Sequence, residues 1–203
     1  MANQSHWSLQ QAQKKSGPGI HRVLLTGGPC AGKTTLMAKL TSVLDNKGYR
    51  VFCVPEAATL FMLAGSQIDT SKMSWDFGVQ MQGSILTMQR SLEDTFTQVA
   101  INEQAETQKP TLILCDRGLL DGSAYVDEEM WHQVLDEQGL AGPGFIEKRY
   151  DAVVHMVTAA EGAEEFYNFS NEARYEDAES ARLRDQRLRK AYMGHHKYLI
   201  VDN

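Results

Sequence analysis

The chain has 203 residues, 42% hydrophobic and 8% aromatic, enough for one core, and its 23% charged content excludes wholesale disorder. The net charge of −6 is uneven: residues 1–110 carry 10 Lys/Arg against 8 Asp/Glu, and residues 111–203 carry 10 against 18. An acidic second half argues against nucleic acid as the main partner. No apolar run nears the ~18 residues of a transmembrane segment, and Met1-Ala-Asn-Gln-Ser-His-Trp holds no apolar signal core, so a soluble, cytoplasmic protein is expected. Cys30, Cys53 and Cys115 fit neither a zinc site nor a disulfide framework and suit a reducing compartment.

Residues 1–20, Gln- and Ser-rich and passing through Ser16-Gly17-Pro18-Gly19, read as a flexible leader before one domain at 21–203. Val23-Leu24-Leu25-Thr26 is a buried strand stopped by Gly27-Gly28-Pro29. Leu36, Leu40, Val43 and Leu44 mark a helix closing at Asn46-Lys47-Gly48. A second strand, Tyr49–Val54, is halted by Pro55. Phe77, Met81, Ile85, Met88, Leu92, Phe96 and Val99 recur at spacings of three and four, a long amphipathic helix whose stripe is expected to face the core. Strands follow at Thr111–Cys115, Asp151–Val157 and Lys197–Val201, with a charged helical stretch at 171–193 before the last. His195 and His196, just after that stretch, are expected on the surface. Strands that are continuous apolar runs, alternating with helices, imply a five-stranded parallel sheet flanked by helices, an α/β fold.

Gly27-Gly28-Pro29-Cys30-Ala31-Gly32-Lys33-Thr34 matches the phosphate-binding loop pattern, with Thr35 next and the required strand before and helix after. Glycines let successive N–H groups turn toward phosphate oxygens beside a partially positive helix N-terminus. Lys33 adds a full cation, and the Thr34 hydroxyl suits a Mg²⁺ shell. Such a loop needs a carboxylate at the end of a neighbouring strand, and Asp116 follows Thr111–Cys115 directly. Arg117 offers a planar fork to a phosphoryl or substrate oxygen, or makes a structural ion pair. Glu56, at the end of the second strand, points toward the ligand crevice as a proton acceptor or metal-water ligand, or else complements the N-terminus of the next helix. Arg174, Arg182, Arg184, Arg187 and Arg189 read as an Arg-rich lid, although interleaved acids also fit surface pairs.

Together with Pro55-Glu56-Ala57, Asp116-Arg117-Gly118, the run Val154–Glu164 containing Val157-Thr158-Ala159-Ala160, and Asp202-Asn203, the loop resembles one family over residues 21–203. This is the AAA-type P-loop domain shared by bacterial NadR, as its ribosylnicotinamide kinase portion, and the eukaryotic TRPL translocation defect proteins. The resemblance implies a nucleoside- or nucleotide-kinase-like P-loop NTPase that binds ATP or GTP with Mg²⁺. Lys33, Thr34 and Asp116 would hold nucleotide and metal, Glu56 and Arg117 would face an acceptor, and Arg174 would come from the lid. Family members continue past the position of Asn203, so a truncated member is expected. Two functions compete: a kinase-like phosphotransferase or NTPase with a small nucleoside-like acceptor, and a nucleotide-gated regulatory module in intracellular trafficking that contacts a protein partner. No guanine-reading Asn-Lys-x-Asp run is present, which favours adenine or a base held by backbone contacts.

Overall fold

The computed structural model describes residues 19–66, 73–140, 145, 148–162 and 178–203. In chain order the elements are β1 (Ile20–Gly27), α1 (Lys33–Asn46), β2 (Arg50–Val54), α2 (Ala57–Leu63), α3 (Trp75–Thr107), β3 (Thr111–Asp116), a 3-10 turn (Asp121–Ala124), α4 (Glu128–Glu137), β4 (Ala152–Met156), α5 (Ala178–Tyr192) and β5 (Tyr198–Val201). The five strands form one sheet in the order β2-β3-β1-β4-β5. Every pairing is parallel, running from Ile20↔Thr111 to Leu25↔Asp116 and from Val23↔Ala152 to Gly27↔Met156 around β1. The expected α/β sheet is present, and its first strand begins at Ile20, three residues before the expected run.

The two faces follow from the period of two along each strand. Leu24, Phe52, Ile113, Cys115 and Val153 point to one side, where Leu92, Phe96 and Ala100 of α3 and Tyr192 of α5 cover them. Leu25, Val51 and Leu114 point to the other side, against Leu36, Met37, Leu40 and Leu44 of α1. Leu24 and Leu25 are both fully enclosed, so β1 contributes about 2 kcal/mol of apolar burial to each layer per leucine. Beyond the sheet, α4 packs Trp131 and Val134 against Val79 and Leu86 of α3. No helix among the described residues is long and apolar enough to cross a membrane.

Two helices depart from expectation. With 33 residues, α3 is ~50 Å long; the middle of its apolar stripe packs on the core as expected, through the half-buried Leu92 and Phe96, but the ends of the stripe do not. Phe77 and Val99 are 47% and 42% exposed. The enclosed positions are Gly78, Val79, Gln82, Gly83, Leu86, Gln89, Glu93 and Ala100. Small residues let the helix sit close to its neighbours, and the polar ones are admitted because they have partners there. Glu93, for example, accepts from Arg149 Nε (2.6 Å) and Tyr150 OH (2.9 Å). The charged stretch, for its part, is anchored by Ala181, Asp185, Leu188 and Tyr192, one face at helical spacing. Its arginines find protein partners: Arg182 donates to Ala160 O, Arg184 lies 4.7 Å over the Tyr125 ring, and Arg189 pairs with Asp185 and Glu161. From residue 178 onward this helix is part of the core wall. Residues 1–18 of the expected leader, and Arg174, lie outside the described residues.

Candidate functional site

The carboxyl ends of β1, β2 and β3 place Gly27, Glu56 and Asp116 on one edge of the sheet, where ligands bind in open α/β folds. β1 leaves the sheet at Gly27, whose φ of +140° is open to glycine, and a Cβ there would lie 2.0 Å from Met156 O. A side chain on Gly28 would meet Thr158 Cβ at 2.9 Å and Asp185 Oδ1 at 3.0 Å. Cys30 and Gly32 then take left-handed conformations (φ 57° and 76°), curling the loop into the first turn of α1, with Gly32 as its N-cap. Pro29, Ala31, Lys33, Thr34 and Thr35 complete the predicted loop in the predicted place. Thr34 and Thr35 lie exposed on the first turn of α1.

The Lys33 ammonium folds back over the loop and donates to Gly27 O and Gly28 O, each at 3.1 Å. Burial, reinforced by the charge of Arg117, lowers its pKa to about 8, against the pull of Asp116, Glu56 and Asp121. Above that pH the free protein carries a neutral amine that must take up a proton to meet phosphate. Nucleotide affinity should therefore fall as pH rises past about 8, by up to tenfold per unit until the pKa of the bound form is reached. Calorimetric titrations from pH 7 to 10 check this, and a flat affinity across that range would separate Lys33 from phosphate.

Asp116 ends β3 beside this cation. Burial raises its pKa, the Lys33 charge opposes the rise and Glu56 adds to it. Its Oδ1 is enclosed and has no hydrogen-bond partner among the described residues. A buried carboxylate oxygen without a donor is costly, and a hard divalent cation is the partner that would satisfy it. Thr34 supplies a second hard oxygen in the neighbouring loop. Among the described residues no group of three or more His, Cys, Asp or Glu converges on a metal position. A carboxylate and a hydroxyl are hard oxygens of the kind that could hold Mg²⁺, which takes one or two from protein and fills the rest of its shell with phosphate and water.

Arg117 is 8% exposed and holds a left-handed conformation, φ 68°. Its guanidinium donates to Gly27 O (2.6 Å) and Asp121 Oδ1 (3.2 Å), and its Nε lies 3.3 Å from Glu56 Oε1, an ion-pair distance without hydrogen-bond alignment. Burial alone would lower its pKa, but Tyr125 and the Glu56, Asp121 and Asp116 carboxylates hold it well above the ordinary value. Glu56 is the N-cap residue of α2, yet its side chain does not cap; Oε2 accepts from Thr59 Oγ1 at 2.7 Å. The structure thus brings Lys33, Glu56, Asp116 and Arg117 into one electrostatic cluster.

Two further carboxylates brace the region: Asp121, not singled out from the sequence, joins the cluster, and Asp185, one of the acids interleaved with the arginines and expected in surface pairs, holds the loop beside it. Asp121 accepts from Thr26 Oγ1 (2.9 Å), Gly118 N (3.0 Å), Tyr192 OH (2.7 Å) and Arg117. Asp185 of α5, fully enclosed, accepts from Gly28 N (2.8 Å), Thr158 N (3.2 Å) and Arg189 Nε (3.0 Å), and lies 3.1 Å from His155 Nε2. Thr158 Oγ1 in turn donates to Pro29 O. The signal for Asp185 was available, since an acid at an i, i+4, i+7 position of an otherwise apolar face is enclosed. His195 corrects the expectation of a surface residue. It is buried, accepts from Lys197 N at Nδ1 (3.2 Å) and donates from Nε2 to Tyr150 O (3.0 Å), a structural role.

A family profile described as an AAA domain matches residues 22–203. No curated protein matches the chain. Among solved structures, thymidylate kinase from Ehrlichia chaffeensis is 15% identical with a TM-score of 0.51, over 91% of this chain and 88% of that one. The NadR protein in complex with NAD and AMP-PNP is 15% identical with a TM-score of 0.55; 91% of this chain matches 45% of NadR, so the likeness spans less than half of that protein. Deoxyadenosine kinase from M. mycoides with bound dATP is 15% identical with a TM-score of 0.45, over 90% of each chain.

Proposed function

The chain belongs to that AAA domain family, and from this premise we propose a Mg²⁺-dependent, ATP- or GTP-binding phosphotransferase of kinase-like chemistry acting on a small nucleoside-like hydroxyl acceptor. The observation that carries the reading is the unpaired Asp116 oxygen at the strand edge, beside the Lys33 loop and the Glu56–Arg117 pair. In this proposal the amides of residues 27–35 cradle the phosphates, Lys33 neutralises their outer charge, and Thr34 and Asp116 hold Mg²⁺. When bound, Mg²⁺ supplies further charge neutralisation on the transferring group. Glu56 takes the proton from the acceptor hydroxyl as the acceptor oxygen attacks the terminal phosphorus, whose bond to the bridging oxygen breaks to release nucleoside diphosphate. Arg117 orients Glu56 and the acceptor, and Arg174 belongs with them as a lid residue.

A cavity of about 130 Å³ lined by Met73, Gly78, Tyr125, Met130 and Arg187 supports an acceptor seat. Burial raises the pKa of Tyr125, on its wall, and the Arg117 charge opposes that rise.

The test is binding and turnover with ATP and GTP, with and without a panel of nucleosides. Acceptor-dependent release of nucleoside diphosphate on the order of 1 s⁻¹ or faster is the expected result. Tight binding with no turnover for any acceptor overturns the kinase reading and leaves the nucleotide-gated trafficking module.

A further inference from the structure

Gln89 lies on the buried face of α3, 3% exposed and far in sequence from every motif of the site. Its Oε1 accepts from Ala57 N (2.9 Å), and its Nε2 donates to Arg117 O (3.2 Å) and Glu93 Oε1 (3.4 Å). Only this amide orientation gives an N–H to the carbonyl and an oxygen to the backbone N–H, so the partners fix it. The ladder between β2 and β3 ends at Val54↔Cys115. Past that rung the chains diverge, one into Glu56 and α2 and the other into Asp116 and Arg117. The Gln89 amide then spans them as a peptide group would, tying the residue after Glu56 to the carbonyl of Arg117 itself.

We infer that Gln89 is a positioning residue that sets the approach of Glu56 to Arg117. Glu56 and Arg117 each have other side-chain partners, Thr59 for the one and Gly27 O and Asp121 for the other; what Gln89 adds is a tie between their two backbone segments. Glu56 sits at an N-cap without capping its helix. Arg117 occupies a left-handed conformation that a non-glycine residue keeps only when its surroundings hold it there. Its N–H is fixed by Leu25 O at 3.1 Å, its carbonyl by Gln89. With both ends of the peptide held, the guanidinium is aimed at Glu56 and the Gly27 carbonyl rather than at solvent. Gln89 is enclosed, its amide is taken up by protein partners, and it acts through the pair. The role in turnover rests on the kinase reading above; the clamp itself does not.

Gln89→Met keeps the volume and removes all three bonds, and Gln89→Asn keeps the amide but is too short to span the gap. Two measurements on the full chain decide. In ¹⁵N-edited spectra, solvent exchange of the Arg117 Nε–H should speed up at least tenfold in either variant, while amides of β1 keep their protection. Unchanged exchange of that proton, or equal acceleration everywhere, overturns the clamp. In steady-state assays the variants should lose at least tenfold in kcat with a smaller change in the KM for MgATP, since Gln89 does not contact the Lys33 loop and the Arg117–Gly27 bond is one of several that brace it. Unchanged kcat, or a loss confined to KM, overturns the positioning role. If the native chain shows no turnover, the kinase reading fails, and the clamp stands or falls on the Arg117 exchange alone. Should Gln89→Met fail to fold, Gln89→Asn carries both measurements.

Discussion

Asp116→Asn should abolish the Mg²⁺ enhancement of nucleotide binding and reduce any turnover at least a hundredfold, while leaving metal-free binding intact or slightly tighter. The sign follows from charge. A carboxylate beside bare phosphates repels them, so its benefit appears only through the cation, and an amide removes both the repulsion and the metal ligand. Lys33→Ala should weaken binding both with and without metal, because the ammonium meets phosphate directly. Titrating ATP and GTP into each variant, with Mg²⁺ and with a chelator, separates the two roles. Full Mg²⁺ dependence in Asp116→Asn would place the metal elsewhere, with Glu56 the next candidate, and the assignment of the enclosed Oδ1 would be wrong.

Asp185→Ala should be the most damaging substitution to stability. Removing one partner from a buried charged network costs about 3–5 kcal/mol, which for a chain of this size lowers Tm by about 10 °C. The loss has a local component as well: Gly28 N and Thr158 N lose their acceptor, and His155 loses its facing carboxylate. Burial by itself would raise the Asp185 pKa, but hydrogen bonds from His155 and Gly28, with the charges of His155 and Arg189, hold it below its ordinary 3.8. A depressed carboxylate contributes stability above its unfolded pKa and loses it as pH falls through the folded value, so the penalty of Asp185→Ala should shrink in acid. By contrast Arg189→Gln, on the partly exposed side of the same cluster, should cost about 1 kcal/mol or less. Urea melts at pH 7 and pH 3 measure all three. An Asp185→Ala variant within 1 kcal/mol of the native chain would mean that α5 is held to the loop by packing alone.

What could be read from the chain in advance was what is local. A strand, a glycine loop and a helix are contiguous over residues 23–44, so their chemistry is visible in order. Asp116 and Glu56 each follow an apolar run, and the run itself says which edge of the sheet they reach. The organising residues are of another kind. Asp185 and Gly28 are 157 positions apart, and Gln89 meets Ala57 and Arg117 across 32 and 28. No period or motif joins such pairs; only tertiary packing does. The two exposed ends of the α3 stripe have the same origin. Hydrophobicity alone points Phe77 and Val99 inward, whereas the enclosed face is chosen by small residues that permit close approach and polar ones that find distant partners. The omission of α4 is different, since Asp127 followed by Glu128 and Glu129 is an ordinary helix start that could have been recognised.

The strand order carries a consequence for how the chain reaches this state. β1 lies at the middle of the sheet, yet it is the earliest of the five strands in the sequence, and its neighbours begin at Thr111 and Ala152. During synthesis it waits roughly a hundred residues for its first partner and longer for its second. A nascent chain ending before Ala152 therefore presents an unpaired apolar edge next to Leu24 and Leu25. Contacts this distant in sequence close slowly, and partly assembled sheets of this kind adhere to one another. The phosphate loop inherits that timetable. Gly27 is braced by Met156 and Gly28 by Asp185, so the loop takes its final shape among the last events of folding, and a shortened chain would lose it before losing β1–β3 pairing.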